Sequence, residues 1–312
     1  MGGQFGILLN QMFIFFTLIA LGFLAQRLKL LNSAAIDGLS LCIVKLILPC
    51  MIFTSVVNSA TIDGVLQKIP LFFCAILMLF ILISFGIISS FLIRLKAPTK
   101  YINISLVGFP NTGFIGYPLI TAMFPHTGAL SLVVYSVVEQ ILFWSIVPML
   151  TKKEFSIKNI DFRGMINPSF ISLMLGLLLV VINIHPKNVF FSTLTSVGDT
   201  SKFLALIYIG ADIGRRGFKT LVKNPKVFLM APIKLIVVPL VVFFVVRMLG
   251  VLSNEELIVL STLAMLPPMV IVSIMAAQSD SDAEYATAGI IVTTLLSMVT
   301  MPIVMKIMVT LL

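Results

Sequence analysis

The chain has 312 residues, 59% hydrophobic and 11% charged, with a mean hydropathy of +1.15 and a formal net charge of +9. A soluble domain carries about 25% charged residues, so this composition excludes one and leaves a polytopic helical membrane protein. With no basic run interleaved with aromatics in a soluble module, the positive balance reads as membrane topology and contact with anionic lipid, with no nucleic-acid partner.

Crossing hydrocarbon as a helix takes roughly 20 apolar residues. Runs of about that length fall at 6–26, 39–57, 69–93, 102–124, 129–150, 167–184, 201–214, 227–249, 256–277 and 284–311. The seventh is short and the second contains Lys45, so the count is nine or ten, and the polar connecting segments fit ten better. Span 1 has no basic region ahead of it and no small-residue cleavage site before Arg27, which makes it a retained helix and not a signal peptide. Spans 2 and 3 hold Cys42, Cys50 and Cys74, with no CxxC, and these read as buried packing thiols. Span 4 contains VGFPNTGFIGYP at 107–118, where Pro110 removes a donor from the Leu106 carbonyl and breaks the helix. His126 and His185 are expected in outside loops, without the spacing of a metal site.

Span 5 carries Glu139 about ten residues from its start, beside Gln140, and ends around Pro148. The polar segment 151–166 follows, expected to be a linker between 1–150 and 167–312. Span 7 holds Asp212 and span 8 holds Lys234. Span 9, LSTLAMLPPMVIVSIMAAQ, is broken at Pro267 and Pro268, and span 10 ends around Pro302. Each half thus has a broken helix followed by one with a proline near its end. Five spans per half is an odd number, so the second half enters the membrane inverted. Paired interrupted segments at matching positions of an inverted repeat point to a transporter's binding site.

Of the 21 Lys and Arg, 14 fall in the segments after odd-numbered spans, which places those segments in the cytoplasm and both termini outside. Irregular backbone at membrane depth is tolerated only where it is buried in protein or lines a water-filled cavity. The two breaks are therefore expected to cross near the midplane. Half-helices would begin at Asn111 and just after Pro268, with both positive N-termini aimed at a common anion. Gly113 and Gly116 would let the backbones approach, and Asn111 and Thr112 supply donors and acceptors. The bland alternative is a pair of hinge prolines in packed helices.

The motifs LSLCIVKLILPCMIF (39–53), NTGFIGYPL (111–119), FLALIYIGADI (203–213), APIKLIVVPL (231–240) and LAMLPPMVIVSIMAAQ (263–278) resemble the auxin efflux carrier family, over nearly the whole chain. The resemblance implies an all-α fold of ten transmembrane helices in two inverted five-helix repeats, related to the bile acid:sodium symporters, with broken crossover helices 4 and 9. It implies a dimerising scaffold from helices 1, 2, 6 and 7, and a transport domain from helices 3–5 and 8–10 that moves as an elevator. It also implies an organic anion substrate, a mono- or dicarboxylate. Plant members carry a long loop between helices 5 and 6; here about 16 residues stand there, as in a compact prokaryotic-type carrier of the cell membrane.

Pro110, Asn111, Thr112, Gly113, Gly116, Pro267, Pro268, Ser273 and Gln278 are the candidate substrate-site residues, although Ser273 and Gln278 suit helix–helix hydrogen bonds equally well. Ionisable groups at depth are site candidates by default. Glu139 reads as a proton-coupling carboxylate or a polar cavity wall, or else as a neutral side chain bonded between helices. Lys45 and Lys234 suit snorkelling to the cytoplasmic interface, and Asp212 is placed to pair with Lys45. No GxSxG, HExxH or paired catalytic carboxylates occur, so neither an enzyme nor a metal or other cofactor is expected. A channel would line its pore with charged or carbonyl rings, and a receptor would carry a soluble domain for which the chain has no room.

Overall fold

The computed structural model describes residues 2–125, 127–152, 167–217 and 223–312. Every regular element among them is helical. In chain order these are α1 (Gly2–Arg27), α2 (Ser33–Ser59), α3 (Ile62–Gln67), α4 (Ile69–Leu92) and α5 (Thr99–Gly108). The first half closes with α6 (112–123) and α7 (Gly128–Leu150). The second has α8 (Pro168–Val181), α9 (Val189–Asp199), α10 (Ser201–Arg216), α11 (Val227–Leu249), α12 (Asn254–Met265), α13 (Ile271–Gln278) and α14 (Ala283–Leu311).

Six helices, residues Leu9–Arg27 of α1 together with α2, α4, α7, α11 and α14, are long and apolar enough to cross a membrane. Their outer faces are apolar, with Phe13, Phe73, Phe80 and Phe91 all more than 60% exposed, a pattern suited to lipid and not to water. The other four expected spans are not single long helices. Span 4 is α5 and α6, span 9 is α12 and α13, span 6 is the 14-residue α8, and span 7 is α10 preceded by α9 with one residue, Thr200, between them. The run expected at 201–214 is α10, and the more polar segment ahead of it, with Ser192, Thr193, Thr195, Ser196 and Asp199, is the separate helix α9.

Local chemistry sets the ends. Asn32, Asn167, Asn188 and Asp282 each cap a helix by accepting an N–H from the third residue on, at 2.8–3.0 Å. Ser253 and Glu256 form a reciprocal capping box on α12. Three helices contain a π-helical turn, at Ile43–Ile47, Thr112–Gly116 and Ile233–Val237. Each ends two residues before a proline, Pro49, Pro118 or Pro239. A proline has no N–H and its ring presses on the carbonyl four residues earlier; widening the turn relieves that clash and closes the ladder with an i→i+5 bond. Helix α7 ends at Leu150, two residues past Pro148, and α14 runs through Pro302 to Leu311, matching the expected spans 129–150 and 284–311.

Glycines allow the closest packing. A Cβ on Gly22 would lie 2.0 Å from the Ile207 carbonyl oxygen, and one on Gly210 would lie 1.9 Å from that of Ile19, so α1 and α10 touch backbone to backbone. Gly198 of α9 meets the Met51 backbone of α2 in the same way, and Gly176 of α8 packs against the Val56 side chain. On the other side Gly86 of α4 abuts Ile104 of α5, and Gly289 of α14 abuts Leu106. Helices α1, α2, α8, α9 and α10 thereby pack as one group, and α4, α5, α7 and α11–α14 as another.

Candidate functional site

The two helix breaks meet. Pro110 and Pro268 form an isolated antiparallel bridge, in which the Asn111 N–H donates to the Pro267 carbonyl at 2.7 Å and the Met269 N–H to the Phe109 carbonyl at 3.1 Å. The Phe109 and Pro267 carbonyls and the Asn111 and Met269 N–H groups, which stand at the breaks, are satisfied by pairing one break with the other. Pro110, Pro267 and Pro268 form this joint, and none of them lines the adjoining cavity. Gly116 does not line it either and packs under Leu263 and Leu266.

Next to the joint lies a cavity of about 290 Å³, walled by α2, α6, α7, the start of α8 and residues 269–271. Asn111, Thr112, Gly113 and Glu139 all reach it. Asn111 caps the π-turn, its Oδ1 accepting the Phe114 N–H at 3.3 Å. Its own carbonyl accepts from Ile115 and Gly116 at 3.2 and 3.1 Å. The first half-helix thus starts at Thr112 with Asn111 as its cap, one residue later than expected. Among the described residues the Gly113 N–H and Asn111 Nδ2 have no partner, and both residues line the cavity. Across the joint, Val272 and Ser273 N–H groups donate back to Met269 and Val270 at 3.3 and 3.1 Å, leaving the Val270 and Ile271 N–H groups without partners there.

Glu139 is 2% exposed, and its Oε1 accepts from the Thr112 hydroxyl at 2.7 Å and the Tyr135 hydroxyl at 3.1 Å. The neighbouring Tyr117 hydroxyl lies 3.1 Å from Ser136 Oγ. Lys234 is the largest departure from expectation: it does not snorkel but is fully buried in the π-turn of α11, and its Nζ makes no hydrogen bond. It lines neither the inner cavity nor the one beside it, and an unpaired ammonium at depth is costly.

A second cavity, of about 690 Å³, adjoins the first and forms a vestibule. Ser273 and Gln278 line this one and not the inner cavity, and the Ser273 hydroxyl donates to the Val270 carbonyl at 2.9 Å. Lys45 lines both cavities. The expected Lys45–Asp212 pair does not form. Asp212 instead accepts from Arg215 Nη2 at 2.5 Å and Arg216 Nε at 2.8 Å, because residues three and four apart share a helix face. Arg215 also reaches Asp37 at 2.5 Å, and Arg216 donates to Thr287 of α14 at 2.9 Å.

The motif reading missed Tyr135, Phe114, Trp144 and the arginine network, and it put Lys234 at the interface. Hydropathy gives a side chain's depth but not the face it occupies. Of the cysteines only Cys74 is buried; Cys50 is intermediate and Cys42 exposed. His126 lies outside the described residues, and His185 Nδ1 is 3.2 Å from the Val57 carbonyl. Among the described residues no group of three His, Cys, Asp or Glu is placed to hold a metal ion.

Comparison with curated proteins found no match. The family described as membrane transport protein matches over residues 7–161 and 155–305, and the two matches meet inside the polar segment 151–166. With matches over nearly its whole length, together with the broken helices and the motifs around them, the chain belongs to the membrane transport protein family, that of the auxin efflux carriers.

Proposed function

We propose that this membrane transporter is a carrier for a small organic anion, a mono- or dicarboxylate, which binds in the inner cavity beside the paired helix breaks. The observation that carries the reading is the set of uncommitted donors around that cavity: the Gly113, Val270 and Ile271 N–H groups and Asn111 Nδ2. Donors at helix starts, reinforced by the aligned peptide dipoles, favour a carboxylate. The walls fit the rest of such a molecule, being mostly apolar and including Leu48, Ile52, Phe143 and Trp144.

In this reading the chain spans the membrane ten times as two inverted five-helix repeats, and α5–α6 and α12–α13 are the crossover helices. The group α1, α2, α8, α9 and α10 serves as scaffold and as the homodimer contact, and the second group moves against it as an elevator. The position of both cavities between the two groups supports this, since relative motion would open and close them. By the distribution of Lys and Arg, the vestibule with Arg215 and Arg216 faces the cytoplasm and both termini lie outside the cell membrane.

Glu139 is assigned the coupling role. A carboxylate substrate and an ionised Glu139 in one small cavity repel each other, so binding of the anion draws a proton onto Glu139 and the two move together. The test is binding and uptake by purified protein in liposomes with Asn111→Ala, against Leu79→Ala as an equally buried control away from the breaks. A hydrogen bond to a charged group contributes about 1.5–3 kcal/mol, so Asn111→Ala should weaken carboxylate binding roughly 10- to 100-fold. Equal binding by the two variants would place the site elsewhere and leave the breaks as hinges.

A further inference from the structure

The charges around the vestibule are unevenly matched. Its wall carries Asp37, Lys45, Arg215 and Arg216. Arg215 is held by Asp37 and Asp212, and Arg216 by Asp212 and the Thr287 hydroxyl. Lys45 has no ion-pair partner among the described residues, and its side chain is exposed. It is therefore the uncompensated cation of this wall.

Its position is equally specific. Six residues line both cavities: Val44, Lys45, Phe114, Trp144, Val270 and Ile271. They mark the border where the two cavities adjoin, the neck between vestibule and inner cavity. Lys45 stands in the π-turn of α2, four residues before Pro49, where the widened turn replaces the bond that proline cannot make. Such turns recur at functional sites. Apart from Lys45 the neck is apolar, with two aromatic side chains, and a lone charge between low-dielectric walls focuses its field along the passage.

We propose that Lys45 is the charge-selecting residue of the anion path, meeting the substrate carboxylate at the neck between vestibule and inner cavity. The inference rests on the anion-carrier reading above. Because Arg215 and Arg216 are neutralised, the selection falls on one ammonium, and a dianion feels it about twice as strongly as a monoanion. Lys45 belongs to α2, whereas Phe114 and the 270–271 backbone belong to other elements lining the same two cavities.

The experiment measures initial uptake of labelled malonate and benzoate by full-length protein in liposomes, with Lys45→Gln, Lys45→Arg and Asn111→Ala in parallel. Lys45→Gln should raise KM for malonate about tenfold and for benzoate about threefold, with Vmax within about twofold, as loss of a steering charge predicts. Lys45→Arg should restore the wild-type values. The dependence of KM on ionic strength should flatten in Lys45→Gln, because the screened charge is gone. An unchanged KM in Lys45→Gln beside an impaired Asn111→Ala overturns the assignment of Lys45 and leaves the carrier reading standing. Equal impairment by Gln and Arg with the salt dependence intact also overturns it, showing a packing role. Wild-type protein that takes up neither anion overturns the carrier reading and this inference with it.

Discussion

Glu139→Gln separates charge from shape at the centre of the site. Both hydrogen bonds to this side chain, from Thr112 at 2.7 Å and Tyr135 at 3.1 Å, end on Oε1. The glutamine carbonyl oxygen can accept both, so the substitution removes the titrating group while the hydroxyls keep their partner. An anion held about 6 Å from an ionised carboxylate at an effective dielectric of about 20 is destabilised by about 2.8 kcal/mol, close to a hundredfold in affinity. In the wild type, affinity should therefore fall as pH rises through the range where Glu139 loses its proton, by up to about tenfold per pH unit for one linked proton. Glu139→Gln should bind at every pH as the protonated wild type does. The assay is carboxylate binding to purified protein between pH 5 and 8, followed by uptake in liposomes with and without a pH gradient. Retention of the wild-type pH dependence by Glu139→Gln would refute the coupling role and leave Glu139 as a hydrogen-bonded strut. Glu139→Ala serves as the contrast: it orphans two buried hydroxyls at about 1–3 kcal/mol each and should lower thermal stability, which Gln should not.

Pro110→Ala and Pro268→Ala restore a backbone donor in each broken helix and let it close, which dismantles the bridge between the breaks; binding and uptake should both fail in protein that still inserts and elutes normally on size exclusion, and unimpaired binding would show the bridge dispensable. Gly210→Ala places a methyl 1.9 Å from the Ile19 carbonyl oxygen, forcing α1 and α10 apart; overpacking of this kind costs about 1–3 kcal/mol, so the melting temperature should drop, whereas Gly38→Ala, whose Cβ would meet no neighbouring element, should not lower it. Cysteine labelling should find residues 152–163 and 215–226, parts of which lie outside the described residues, on the cytoplasmic side, and position 126 and both termini outside. A cytoplasmic N-terminus would undo the inverted-repeat assignment.

The sequence alone determined the medium, the approximate apolar runs and the two breaks, because these depend on composition and on a property local to proline. The π-turns were equally legible in principle: each precedes a proline by two residues, and the clash that causes it lies within one helical turn. Membership of the transporter family followed from motifs that keep their order along the chain. What the tertiary structure decided was which face of each helix turns inward. Lys45 and Lys234 look alike in sequence, each followed by Leu-Ile and by a proline four or five residues on. Yet Lys45 opens onto two cavities while Lys234 is buried without a hydrogen bond, since depth along a helix does not fix its rotation. Asp212 took its partners from its own helix, three and four residues on, in preference to a lysine on another element. Helix α9, whose segment reads as polar in sequence, packs on α2 through Gly198 against Met51. Rotation, cross-helix partners and the meeting of the breaks depend on contacts between elements far apart in the chain, such as Asn111 with Pro267 and Arg216 with Thr287, and no window along the sequence contains both sides of such a contact.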